Sequence, residues 1–189
     1  MQKGLRYEKA ENSFLWLYSA GVALPAYNST EPRVALNQNS KRSLVKLYYS
    51  DVGLLVEQYG GNLKSRILLD DSNINAGGIY ENVVAEELTS HGFDLYYYNS
   101  KKQGELDFVI EKDLSVIPIE VKSGKDYYYH SAISNALNNT EYDIGEAYIF
   151  TNYDVKVDEK ITYYPIYMCM FLNNECDYPV LDEIEMTKL

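Results

Sequence analysis

GELDFVIEKDLSVIPIEVKSG, residues 104–124, contains two short apolar runs, each interrupted by an acid, and a lysine follows two residues after the second acid. With Asp113 and Leu114 as a two-residue turn, 105–111 and 116–122 form an antiparallel hairpin that sets Asp107 across from Glu120. Side chains alternate along a strand. Asp107, Val109, Pro118, Glu120 and Lys122 therefore share one face, and Leu106, Phe108, Ile110, Ile117, Ile119 and Val121 share the other. One face is an apolar wall, and the other holds two opposed carboxylates with a lysine beside them.

Two like charges facing one another are destabilising unless something positive lies between them. Oxygen ligands at that separation suit a hard divalent cation such as Mg2+ or Mn2+, which keeps several waters and takes one or two protein carboxylates. A lysine two residues along then orients or deprotonates a water, or stabilises charge on a phosphoryl group. The same pattern also describes the wet face of an antiparallel sheet, with Glu and Lys as a solvated ion-pair cluster. The hairpin alone leaves both readings open.

Upstream, GGIYENVVAEELTSHG (77–92) reads as a helix bounded by Gly78 and Gly92. At helical periodicity Tyr80, Val83, Val84 and Leu88 form an apolar arc with Glu81 at its edge and Glu87 inside it; Asn82, Glu86 and Thr89 are expected to face water. The segments that follow read as a strand at FDLYYYN (93–99), the hairpin, a helix at SAISNALNN (131–139), a strand at EAYIFTN (146–152) and a final apolar element, ITYYPIYMCMFL (161–172). This order describes an α/β fold, a mixed β-sheet flanked by helices. Before it come a short helix at ENSFLWLYSA (11–20), stopped by Gly21, and two extended runs, VALPAY and SLVKLYYSDVGLL, flanking a polar loop as a hairpin or wing. Asp51 and Gly53 open the next turn or helix.

Composition narrows the function classes. A formal charge of -11 argues against a domain that grips nucleic acid through a basic face of its own. No run approaches the ~18 apolar residues of a membrane span, and no signal-peptide pattern opens the chain, so a cytoplasmic protein is expected. Cys169 and Cys176 fit no paired metal-ligand spacing and read as buried or idle thiols. GGNLKS (60–65) superficially suggests a phosphate loop, but Leu63 stands where the Walker pattern needs glycine, so no ATP site is expected in this chain. The 20 tyrosines include runs at 96–98 and 127–129, which suit half-buried strands and, less often, nucleobase stacking. His130 reads as a helix-start cap or surface residue and His91 as helix-terminal.

Glu81, then Asp107, then Glu120-Val121-Lys122 resembles the PD-(D/E)xK nuclease superfamily. More narrowly, YENVVAEEL, YYYNSKKQGELDFVI and IPIEVKSG, with the upstream SLVKLYYSDVGLL, resemble the C-terminal domain of unknown function 4143 carried by prokaryotic AAA+ family ATPases. The resemblance covers roughly residues 13 to 172. It implies a restriction-endonuclease-like core at 61–172, preceded at 1–60 by a small winged-helix-like or linker segment and followed at 173–189 by an acidic tail. It also implies Asp107 and Glu120 as metal ligands for Mg2+ or Mn2+, Glu81 as the helix acid at a second metal or its hydration shell, and Lys122 as the catalytic lysine. Glu105, in the GELD lead-in, is expected to be structural. The implied partners are an AAA+ ATPase module upstream or in trans and DNA, with oligomerisation open and no membrane. The alternative is an accessory module that keeps the nuclease architecture for docking or regulation.

Overall fold

The computed structural model describes residues 7–69, 71 and 75–174; Cys176 and nearly all of the expected acidic tail lie outside them. The elements in chain order are α1 (Tyr7–Ser19), β1 (Ala23–Ser29), β2 (Ser40–Tyr49), α2 (Val52–Gln58), α3 (Gly61–Leu68), α4 (Gly77–Ser90), β3 (Tyr96–Ser100), β4 (Gly104–Lys112), β5 (Ser115–Lys122), α5 (Ser131–Asn138), β6 (Ala147–Thr151), β7 (Lys156–Asp158) and β8 (Ile161–Pro165), with a 3-10 helix at Ile166–Phe171. Gly21 ends α1 with a positive φ of 68°, and Asp51 caps α2 by accepting from the Gly53 N–H. Residues 61–65 are the first turns of α3, so the segment that superficially suggests a phosphate loop is helical. Among the described residues, no helix is long and apolar enough to cross a membrane.

The turn between β4 and β5 falls on Asp113 and Leu114, whose φ values of 50° and 61° are the signature of a two-residue hairpin turn. It sets Phe108 opposite Ile119, Val109 opposite Pro118 and Ile110 opposite Ile117. This is the expected register. The hairpin lies at the centre of a mixed sheet of eight strands in the order β2-β1-β3-β4-β5-β6-β8-β7. β1 and β2 pair antiparallel and join the rest through a parallel β1–β3 pairing, so residues 23–49 are part of the same sheet as the later strands. β5, β6 and β8 run parallel to one another.

Each face of the sheet buries a helix. On one, α4 packs Val84, Ala85 and Leu88 against Phe108, Ile110, Ile117, Ile119 and Val121. On the other, α5 packs Ala132, Ile133 and Ala136 against Leu106, Val109 and Val116. Gly104 makes room for α5: its φ is 98°, and a Cβ there would meet the Ala132 Cβ at 3.0 Å. Tyr96, Tyr97 and Tyr98 are all buried, so this run is packing.

One expectation about the hairpin is corrected. Leu106 does not share a face with Phe108, because it sits in the α5 cluster while Phe108 sits in the α4 cluster. The cause is a β-bulge. Tyr96 pairs with Val109 but Tyr98 pairs with Leu106, so Tyr97 alone faces both Asp107 and Phe108. A bulge inserts one residue into a strand, bends it and re-aims the side chains at that point. The pairing of β4 with β5 ends at Phe108–Ile119, one step short of Asp107 and Glu120.

The expected polar face of α4 is corrected too. Asn82 is buried (1% exposed); its Oδ1 accepts from the Tyr49 N–H (2.8 Å) and its Nδ2 donates to the Tyr49 C=O (3.0 Å). Glu86 accepts from the Val52 N–H (3.1 Å), and Thr89 is half-buried. The end of β2 and the start of α2 cover this side of α4, which periodicity within a single helix could not reveal. Replacing Asn82 by Ala removes the partner of the part-buried Tyr49 N–H and C=O, so Asn82→Ala should lower stability by about 2 kcal/mol. Urea unfolding of the two proteins measures it; equal stabilities would mean that Tyr49 finds other partners.

Candidate functional site

Glu120 and Lys122 come from the C-terminal end of β5, Asp107 from the bulge in β4, and Glu81 from the first half of α4. Glu120 is buried (7% exposed); its Oε1 pairs with the Lys122 ammonium, and its Oε2 has no hydrogen-bond partner among the described residues. Asp107 is half-buried, and its Oδ2 accepts from the Val121 N–H at 2.8 Å. The bulge has turned the carboxylate onto the neighbouring strand's backbone. Glu81 is half-buried and accepts from the Tyr48 hydroxyl at 3.4 Å.

All three acids resist ionisation. Burial pushes Asp107 up to about 6; the Val121 N–H opposes the rise, Glu120's charge adds to it, and Lys46 and Lys122 oppose it. Glu81 is raised by burial and then by Asp107, with Lys46 pulling the other way. Glu120 is raised by burial against the pull of Lys122. Asp107 thus shares its electrostatic environment with Glu81 on one side and with Glu120 and Lys122 on the other. This answers the wet-face reading, because a solvated cluster would not contain a nine-tenths buried glutamate with an unpartnered oxygen.

The structure adds residues that the motif omits. Lys46 and Tyr48 alternate along β2 and face α4; Tyr48 is buried against Phe108, with ring centroids 5.3 Å apart. Burial, then Glu81 and Asp107, drive the Tyr48 hydroxyl far above its ordinary range, so it acts as a hydrogen-bond donor and not as a base. Lys46 pairs with Glu105 and lies 4.7 Å from the centre of the Tyr97 ring. Glu105 also accepts from Asn99 Nδ2 (2.7 Å), which makes it a holder of Lys46. The period-two pattern of VKLYY placed Lys46 and Tyr48 on one face, but nothing in the sequence indicated that α4 and β4 would meet them there.

Other candidates lie elsewhere. Glu87 sits at the far end of α4, 3.7 Å from His91, the residue that ends the helix. His130 precedes α5 without capping it through its side chain; its Nε2 meets the Tyr163 hydroxyl at 2.7 Å, and burial lowers its pKa. Cys169 is a buried free thiol pushed up to about 12 by burial. Among the described residues, no group of three His, Cys, Asp or Glu side chains is gathered to hold a metal ion.

An α/β domain with a mixed central sheet and an acid–lysine cluster at the end of its middle hairpin is the class that these elements define. Residues 76–169 match the family model described as Domain of unknown function (DUF4143), and the chain carries that domain. The match contains Glu81, Asp107, Glu120 and Lys122, while Lys46 and Tyr48 lie before it. Neither the curated proteins nor the solved structures contain a match to the chain.

The raised acid fixes the sign of a pH effect. Asp107 holds its proton more tightly in the folded state, at about 6 against an ordinary 3.8. Stability is therefore lost as pH rises from about 4 to about 6. In EDTA, Asp107→Asn should gain on the native protein across that window, ending about 2–3 kcal/mol more stable at pH 7. Urea unfolding at several pH values checks this; parallel stability curves for the two proteins would contradict it.

Proposed function

We propose that this domain is a PD-(D/E)xK-type, divalent-metal-dependent phosphodiesterase acting on DNA, working as a module of an AAA+ type ATPase that lies upstream or in trans. The observation that carries the reading is Glu120: a buried carboxylate with one oxygen paired to Lys122 and the other without a partner among the described residues. Buried acceptors without partners are rare. Asp107, raised by burial and by Glu120, stands beside it. Together these two carboxylates suit a hydrated Mg2+ or Mn2+, which takes one or two protein carboxylates and leaves its other positions to water and substrate phosphate. A cage of three or more protein ligands is not required.

Asp107 and Glu120 hold the cation, which when bound supplies charge neutralisation at the phosphate and a more acidic water. Asp107 keeps its orientation through the Val121 N–H. Lys122 donates hydrogen bonds to the attacking water or to a phosphoryl oxygen. Glu81, braced by Tyr48, accepts from waters on the Asp107 side. Lys46 offsets the negative charge of Asp107 and Glu81 from β2.

A second reading, a nuclease-fold accessory module that docks onto or regulates the ATPase, is favoured by the net charge of -11, since a domain gripping DNA alone needs a basic surface. One experiment separates the two. Isothermal titration of manganese should show uptake by the native protein and none by Asp107→Ala, and plasmid nicking should fall by at least about a hundredfold in that variant. Lys122→Met should keep manganese and lose nicking. If the native domain takes up no manganese and nicks nothing, the accessory reading replaces the hydrolase.

A further inference from the structure

β5, β6 and β8 run parallel, so the segments that leave their C-terminal ends share an edge with Lys122. Aromatic rings gather there. Tyr153, after β6, stacks on Tyr127, after β5, with centroids 4.3 Å apart and planes at 25°. Tyr127 lies 3.9 Å from the Tyr128 ring, and the Lys156 ammonium, ion-paired to Asp158 at 3.4 Å, lies 5.0 Å from that ring's centre. Unlike Tyr96–Tyr98, two of these rings face solvent, Tyr128 at 51% exposed and Tyr153 at 38%, and Tyr127 is half-buried between them.

Tyr153 also lines a cleft of about 520 Å³, together with Lys125, Ser123, Asn152 and Tyr80. That volume falls in the ~300–1,000 Å³ range of clefts that take small ligands. Asn152 Nδ2 ties two of the walls together, donating to the Ser123 C=O and the Tyr80 hydroxyl, both at 3.2 Å. Ser123 follows Lys122 and Tyr80 precedes Glu81, so the cleft begins one residue from the acid–lysine cluster on two sides. The acid on its wall, Asp71, is engaged by Arg66 at 2.8 Å, and Lys125 is exposed.

We propose that this cleft receives one unpaired nucleotide next to the scissile phosphate, with its base stacked on Tyr153 and its phosphate facing Lys125. The inference rests on the hydrolase reading above and narrows its substrate to single-stranded or flapped nucleic acid. A ring ledge takes the face of a base, and bases inside an intact duplex have no free face to offer. Hydrophobic packing alone would not leave the Tyr128 and Tyr153 rings exposed beside Lys156 and Lys125, at the mouth of a cleft whose walls mix Ile67 and Ile79 with Ser123 and Asn152.

Fluorescence anisotropy of a labelled oligothymidylate of about 12 nucleotides, measured in EDTA, tests the assignment. The oligonucleotide should bind the native protein more tightly than a duplex of the same length. Tyr153→Ala should weaken it roughly tenfold while Tyr153→Phe retains it, since a single base–aromatic stack contributes that much. Lys125→Ala should lower affinity and reduce the salt slope by about one. Lys112→Ala, at the turn end of the hairpin and away from the cleft, should bind as the native protein does. No binding by the native protein, preference for duplex, or indifference to both Tyr153→Ala and Lys125→Ala would overturn the assignment. Tyr153-dependent binding without any manganese-dependent nicking would remove the hydrolase reading and leave the nucleotide cleft; nicking without Tyr153-dependent binding would do the reverse.

Discussion

A single extra residue in β4 controls the site. Because Tyr97 faces both Asp107 and Phe108, the strand turns at that point, its ladder with β5 stops, and the Val121 N–H is left to the Asp107 carboxylate. An unbulged β4 would keep Leu106 and Phe108 in one core cluster and carry its alternation past the end of the hairpin. The bulge instead divides them between two cores and turns an acid from the middle of the sheet onto the backbone of β5. Bulges beside functional sites commonly re-aim a side chain in this way.

The cluster that results is held against its own electrostatics. Glu81, Asp107 and Glu120 all have raised pKa values, and burial is the leading cause each time. Lys122 and Lys46 reduce the cost without removing it, since Lys122 is shared with Glu120 and Lys46 with Glu105. Groups left in such environments are candidates for function because folding alone gives no reason to keep them. The same crowding would be relieved by any cation able to meet two carboxylates at once.

Much of this was legible in the sequence because it is local. Asp113-Leu114 set the hairpin register, the arc of Tyr80, Val83, Val84 and Leu88 set the buried side of α4, and the order of elements gave a mixed α/β sheet. What the sequence hid depends on contacts between distant segments. The bulge exists only in the pairing of β4 with β3. The burial of Asn82 requires Tyr49 to arrive beside it, and Lys46 joins the acids only because β2 reaches the sheet through β1. Glu87 satisfied the helical pattern as well as Glu81 did, and only the placement of α4 over β4 and β5 separated them. The short strand β7 lies in a polar segment with no alternating apolar pattern and owes its existence to pairing with β8.

Gly104 connects this scaffold to the aromatic edge. With only a hydrogen where other residues carry a methyl, it lets α5 rest on the start of β4, and α5 begins just after His130, which holds the Tyr163 hydroxyl. Tyr163 in turn lies within 5.8 Å of both Tyr127 and Tyr128. The tyrosine ledge therefore leans, through Tyr163 and His130, on the start of the helix that the missing Cβ of Gly104 lets approach the sheet.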